Sequence, residues 1–356
     1  MKPKFSSRRY EPGDETAIND LYRHVTGRCR SEAAWRWQWM ENPAGSSEMW
    51  VIEIEEHGAS RIVGHHGVMP FRATIRGRSL LIGKTENTMV LPEVRHRILY
   101  PRFEKRFLAM YRDRFDALFS TRGPAAAIRL RRAMGYRPTE PILTAAFGRI
   151  IRSSAAMLRR RIGGGTSRVP APASGPCGPG LIVDLDDSRF TDAWSRRRAA
   201  PTDALELSKD LEGIDWRYRR HPSGIHRGAL LDDAVVVFHR PDHASIRIDE
   251  LEMLDGRASD SVAARVWRQL WSMATSMGAS LLMRSGPAWA LPDAATIRSS
   301  GLRRIRLMPS RPTEEDAMPV LLVPRDDRRL SESDRWRIDA FAFEGPAPVA
   351  GEVSSR

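Results

Sequence analysis

Two short patterns each occur twice in this sequence, in the same order. The first, Trp-x-aromatic-x-x-polar-Pro-x-Gly, stands at residues 37–45 and again at 216–224. The second is Gly123-Pro124-Ala125 followed by Ile128-Arg129 and Gly135-Tyr136-Arg137. It returns as Gly286-Pro287-Ala288, Ile297-Arg298 and Gly301-Leu302-Arg303. One short match is within reach of chance, but two in register predict a duplicated domain. Between the copies, residues 163–180 are so dense in Gly, Pro and Ser that they read as a linker, since such a run forms no element interior. Just before it, Ile151, Ala155, Leu158 and Ile162 fall at helical spacing and predict a short basic helix over 150–162. The chain therefore divides into an N-terminal domain (1–148), a helix and linker (149–180), a C-terminal domain (181–345) and a disordered tail (346–356).

Each half reads as strands, a helix, a strand and a helix. In the first, 50–54, 62–69, 71–75 and 80–90 are strand-like, with Gly58 and Gly77 as turn residues. A helix follows with Leu99, Phe103, Phe107, Met110 and Tyr111 on one face, then a strand at 117–120 and a helix from about Ala125, capped at Gly135. In the second, 229–231, 234–238 and 246–254 are strands. A helix carries Val262, Val266, Leu270, Met273 and Met277, and 280–283 is the next strand. The predicted class is α+β, each half having a central mixed, mostly antiparallel sheet flanked by helices.

Composition narrows the function classes. The chain has 356 residues, about two domains at roughly 150 residues each. No apolar run approaches the ~20 residues of a membrane helix, and the first nine residues lack the apolar stretch of a secretory signal. Two cysteines, Cys29 and Cys177, make neither a disulfide framework nor a Cys-rich metal site, so a reducing cytoplasm is expected. The net charge is +13, yet only five of the 57 basic residues are Lys. The Arg are scattered among 44 acids, with no zinc-finger or RNP-type spacing, so nucleic acid is not the expected partner. Gly163-Gly164-Gly165 lacks the Lys-Ser/Thr ending of a phosphate loop. Serine-hydrolase and zinc-enzyme motifs are missing, and no metal ligands are assigned. His65 and His66 are adjacent on a predicted strand, so they face opposite ways and do not share one metal. One is the candidate to line an acceptor pocket, and the other is expected to be packed or exposed. Trp35, Trp37 and Trp39 form a pocket wall or a packing cluster, and the repeat favours packing.

Three segments of the first half resemble the Gcn5-related N-acetyltransferase superfamily, closest to its bacterial tandem-domain members. Residues 9–15 are similar to its opening strand and first helix. Residues 85–93, followed by Arg95-His96-Arg97, look like its central strand and pyrophosphate loop. Residues 127–136 resemble its late helix, Ala-Ile-x-Leu-Tyr-x-x-x-Gly-Phe. The resemblance covers about 5–148 and is weaker over 181–345.

It implies two such domains in tandem and an acyl-CoA, acetyl-CoA or another, as co-substrate in a V-shaped split of the first sheet. Pantetheine would pair with a strand edge at Met89, Val90 and Leu91. Pyrophosphate would sit on the loop of Arg95, His96, Arg97, Ile98 and Leu99, at a helix start that favours anions. The family's loop reads Arg-Gly-x-Gly; here His96 and Ile98 replace both glycines, while Arg95 and Arg97 add charge. Glu86 is the candidate general base, expected on the face of Thr88 and Val90 by the strand's two-residue period. Arg131 occupies the place of the family's Tyr acid and could shield a thiolate; Tyr136 holds a packing position. His65, Trp37 and Arg131 are the candidate acceptor-side residues, and the acceptor is the amine of a small molecule, sugar or peptide. The second domain, whose corresponding loop is acidic, is expected to be non-catalytic. The competing reading is a catalytically degenerate protein of this fold that binds a ligand or a protein partner.

Overall fold

The computed structural model describes residues 4–95, 100–111, 114–120, 125–138, 142–149, 169–197, 203–256, 259–287, 290–305, 320–322 and 336–337. In chain order the first elements are Lys4–Arg9 (β1), Glu15–Thr26 (α1), Glu32–Trp39 (α2), Glu48–Glu56 (β2), Ala59–Ile75 (β3) and Arg78–Val90 (β4). Tyr100–Tyr111 (α3), Ala117–Ser120 (β5), Ala125–Ala133 (α4) and Arg137–Pro138 (β6) follow. Alternating apolar residues with a tight turn at each end dictate the antiparallel β2–β3–β4 ribbon. His57-Gly58 and Arg76-Gly77 both have positive φ at both positions, as two-residue hairpins require. The predicted break at Pro70 does not occur. β3 runs straight through it, with Pro70 paired across to Gly83 and its carbonyl accepting from Asn42 Nδ2 at 2.9 Å.

The chain continues through Ile142–Gly148 (β7), Gly175–Cys177 (β8), Gly180–Val183 (β9), Ser188–Arg196 (α5), Leu205–Leu207 (β10) and Leu211–Ile214 (α6). Next come Arg227–Leu230 (β11), Ala234–Asp242 (β12), Ser245–Met253 (β13), Asp260–Ser276 (α7), Leu281–Pro287 (β14), Ala294–Ser299 (α8), Arg303–Ile305 (β15), Val320–Leu322 (β16) and Trp336–Arg337 (β17). α7 starts where Ser259 caps it, its side chain accepting from the Val262 N–H. It lays Val266, Trp267, Leu270 and Met273 against Phe238, Ile248 and Phe147 of the sheet. Each such buried side chain contributes about 1.5–3 kcal/mol.

The fold is α+β, with mixed sheets flanked by helices. One sheet has the order β1-β2-β3-β4-β5-β16-β6, the other β15-β7-β14-β13-β12-β11-β9-β8. Along each order one parallel pair (β4/β5, β13/β14) sits inside antiparallel neighbours, and off the first order β10 pairs with β3 and, in parallel, with β17. Contacts divide the chain into two compact units: Met1–Thr139 with Thr313–Arg335 and Gly345–Arg356, and Glu140–Pro312 with Trp336–Glu344. Two details differ from the sequence reading. β7, kept with the first domain there, pairs with β14 and β15, while β16 pairs with β5 and β6. The last part of the Gly/Pro-rich stretch forms the β8–β9 hairpin. The helix predicted over 150–162 and the tail 346–356 lie outside the described residues.

The first sequence echo has a local structural counterpart. Gly45 N–H donates to the Asn42 carbonyl at 3.1 Å, and Gly224 N–H to the His221 carbonyl at 2.9 Å. Trp37 and Trp216 are both buried. Both glycines have positive φ, which closes the turn without strain.

Candidate functional site

β4 and β5 pair in parallel at Ile82–Ala117, Gly83–Leu118 and Lys84–Phe119 only. β5 ends at Ser120, and β4 runs on to Val90. The ladder ends at Lys84, and among the described residues the β4 edge from 85 to 90 has no paired β5 strand.

On its other side β4 is bulged. His65 pairs with Met89 and Gly67 with Glu86, so three residues of β4 span two of β3. Asn87 takes up the extra residue with φ 49°, a left-handed conformation that Asn tolerates better than most. The bulge re-aims the side chains that follow it. Glu86 therefore shares a face with Met89 and His65. The expectation that it shares one with Thr88 and Val90 fails, because the two-residue period holds only in an unbulged strand. The carboxylate of Glu86 lies 2.6 Å from the Nζ of the buried Lys84.

The two sides of β3 have different chemistry. On one, His65 is fully enclosed. Its Nδ1–H donates to the Asn87 carbonyl at 2.9 Å, which leaves Nε2 the bare nitrogen. That Nε2 is buried and makes no hydrogen bond. Burial pushes the ring pKa down to about 3, so His65 is neutral. Trp39 stands edge-on to it at 5.4 Å between ring centres. Trp39 also fills the space over Gly67, where an added Cβ would come within 2.2 Å of it. Thus Trp39, rather than Trp37, meets His65; Trp37 is buried in α2.

On the other side, His66 stacks on Phe107 at 4.6 Å and heads a buried polar cluster from five elements. Arg131 of α4 donates to Ser120 Oγ at the end of β5 and to Thr88 Oγ1 at 3.2 Å. Thr88 Oγ1 lies 3.0 Å from His66 Nδ1. Glu104 of α3 lies 3.8 Å from His66 and 3.9 Å from Arg131. Burial also holds the His66 pKa down, to about 4, against the pull of Glu104. A buried ion pair persists only with good geometry and supporting hydrogen bonds, and Thr88 and Ser120 supply them. Tyr136 and Tyr111 pack beside the cluster in the apolar core. Burial and the nearby Glu104 raise both phenols well above their ordinary range.

The structure thus brings Arg131 to the end of the β4/β5 ladder and places Glu86 and His65 together on the opposite face of the ribbon. Met89 and Leu91 are buried and Val90 half-buried; the Val90 carbonyl accepts from Arg95 Nε at 3.0 Å. His96, Arg97, Ile98 and Leu99 lie outside the described residues. Sequence reasoning missed Lys84, Thr88, Glu104 and Ser120. Glu104 had a readable signal: it sits three and seven residues before Phe107 and Tyr111, on the stripe that α3 buries. Met110, expected on that face, is exposed.

Residues 6–139 match the family model described as an acetyltransferase (GNAT) domain. No curated protein matches the chain. Three solved structures align over 90% of it. A conserved protein of unknown function from Enterococcus faecalis V583, described as a probable N-acyltransferase, gives a TM-score of 0.63 at 10% identity over 73% of its own length. The GCN5-related N-acetyltransferase from Kribbella flavida gives 0.56 at 14% over 71% of its length. The GCN5-related N-acetyltransferase from Anabaena variabilis ATCC 29413 gives 0.56 at 11% over 73%. At such identities the likeness is one of fold. No helix among the described residues is long and apolar enough to cross a membrane.

Proposed function

We propose, from the acetyltransferase (GNAT) domain matched over residues 6–139, that this chain is an N-acyltransferase. It moves an acetyl or other acyl group from acyl-CoA to the amine of a small molecule, sugar or peptide, in the cytoplasm. The observation that carries the reading is the end of the β4/β5 ladder at Lys84, which leaves the β4 edge from 85 to 90 without a strand partner among the described residues, beside a bulge and a buried polar cluster. The β4 edge there offers backbone groups to pantetheine by strand addition, and its N–H groups supply the oxyanion donor. Arg95 and the segment His96–Leu99 receive the pyrophosphate. The amine attacks the thioester carbonyl, Glu86 takes its proton, and the tetrahedral adduct collapses to amide and thiolate. Arg131 offsets the thiolate charge, and solvent protonates it. The two units are tandem copies of one fold; in support, the main strand orders of the two sheets repeat around one central parallel pair each. The second is non-catalytic.

A second reading has its own observation. Arg131 stands where the family carries a Tyr acid, and its hydrogen bonds and ion pair tie it into the cluster. A protein that only binds acyl-CoA or a partner would keep this arrangement. Calorimetric titration of the full chain with acetyl-CoA and with CoA, then thiol release against an amine panel, separates the two. The expected results are micromolar binding and thiol release that Glu86→Gln cuts by ~100-fold or more with binding unchanged. Binding without turnover selects the second reading, and no binding of either ligand by a folded sample overturns both.

A further inference from the structure

The second unit encloses a cluster that acyl transfer does not use. His226 precedes β11, His239 lies on β12 and Asp249 on β13. Val237 pairs with Glu250 and Phe238 with Ile248, so Asp249 is the extra residue of a bulge. The bulge swings its carboxylate toward His239. Asp249 Oδ2 lies 2.7 Å from His239 Nδ1 and 3.8 Å from His226 Nε2. The two imidazoles are 5.2 Å apart at 72°. One ligand atom from each of the three residues falls within 4.8 Å of the others, and all three residues are buried.

We propose that His226, His239 and Asp249 bind one divalent transition metal ion, zinc foremost. Zinc takes imidazole nitrogen and carboxylate oxygen at about 2.0–2.2 Å, so tetrahedral ligand atoms stand ~3.3 Å apart. The separations of 2.7 and 3.8 Å lie on either side of that value. Sub-ångström shifts therefore admit the ion, which replaces the His239–Asp249 hydrogen bond and releases its proton.

The surroundings suit a ligand set. Arg247 Nε stands 3.9 Å from Asp249 Oδ1, which leaves Oδ2 turned to the histidines, the kind of outer contact that orients a ligand carboxylate. His221 borders His226 edge-on at 5.3 Å. Its Nδ1 accepts from the Ser223 N–H at 3.2 Å, which places its proton on Nε2. The group of ligand atoms within 4.8 Å does not include His221, so it is a wall and not a fourth ligand, and three protein ligands leave one position for water or an anion. Burial above all, with the charge of the nearby buried Arg217 adding to it, lowers the basicity of His221 and His226. That charge disfavours a bare cation and favours an anionic fourth ligand.

The cluster's place in the fold adds weight. β13 and β14 pair in parallel from Ser245–Leu281 to Ile248–Arg284. Asp249 is the first residue beyond, where the second sheet's parallel ladder ends as the first sheet's ends at Lys84. In the first unit the bulge past that ladder carries Asn87 and Thr88, and the two histidines opposite face away from each other. In the second, the bulge carries a carboxylate aimed at two histidines.

The test uses the full chain, stripped with a chelator and reloaded with Zn²⁺ or Co²⁺. Elemental analysis after gel filtration should give one ion per chain, and the Co²⁺ form should show tetrahedral d–d absorption. Asp249→Asn and His239→Gln should weaken uptake at least 100-fold, while exposed His24→Gln leaves it intact. Should those variants fail to fold, NMR of the Co²⁺-loaded wild type decides: hyperfine-shifted ring N–H signals from two histidines are expected. Failure of the wild type to retain an ion, uptake equal in all variants, or the absence of those shifted signals overturns the proposal. The readout is the metal itself, so it stands apart from any result on acyl transfer.

Discussion

His65 and His66 are neighbours in sequence, face opposite sides of one strand and are both fully enclosed. Their pKa values are lowered to about 3 and about 4, first by burial. The unfolded chain takes up these protons near pH 6.5; the folded chain refuses them until far lower. Stability from these groups is therefore complete above about pH 6.5 and is lost as pH falls toward 4. The loss is up to ~1.4 kcal/mol per pH unit for each histidine. Urea midpoints measured from pH 7 to 4 should drop accordingly, and His65→Gln and His66→Gln should each flatten the drop. An unchanged slope in both variants would refute the assignment. At this scale the sequence was partly legible. Adjacency on a strand fixed the opposite facing of the two histidines. It could not show that Trp39 and not Trp37 meets His65, because both lie in a helix whose rotation about the sheet only packing decides. Nor could it join His226, His239 and Asp249, which meet through a pairing register.

The strands of the first ribbon were legible because alternation and Gly turns are local signals; the bulge was not. Nothing in the spacing of residues 85–90 announces an extra residue, yet it moves Glu86 to the face of His65. Asn87 is the hinge of that arrangement, with φ 49° and its carbonyl held by His65. Asn87→Gly keeps the backbone and should change stability by only a few tenths of a kcal/mol. Asn87→Val puts a β-branched side chain in the left-handed region at a cost of about 1–2 kcal/mol. Urea denaturation of the two variants checks the contrast. Equal stability would mean that β4 is regular in solution.

At the scale of the whole chain, two strands complete sheets whose other strands lie far away in sequence. β16 lies between β5 and β6, and β7 lies between β14 and β15. Periodicity tells which face a strand buries but not which strand it pairs with, so this long-range pairing was invisible in the sequence. A fragment of residues 1–162 lacks β16 and leaves edges open, and open edges aggregate. Each of the fragments 1–162 and 163–356 expressed alone should therefore be insoluble. Co-expressed, they should purify as a one-to-one complex with the circular dichroism of the intact chain. A monomeric 1–162 with cooperative melting would contradict this.

The long-range pairing also sets a clock on synthesis. β6 ends at Pro138, but its sheet neighbour β16 ends at Leu322. At 5–20 residues per second, the intervening roughly 180 residues take about ten to forty seconds to leave the ribosome. For that interval β5 and β6 of the nascent chain lack the strand that joins them. The first half is thus made early and finished late, and in that window its unpaired edges stand open to other strands.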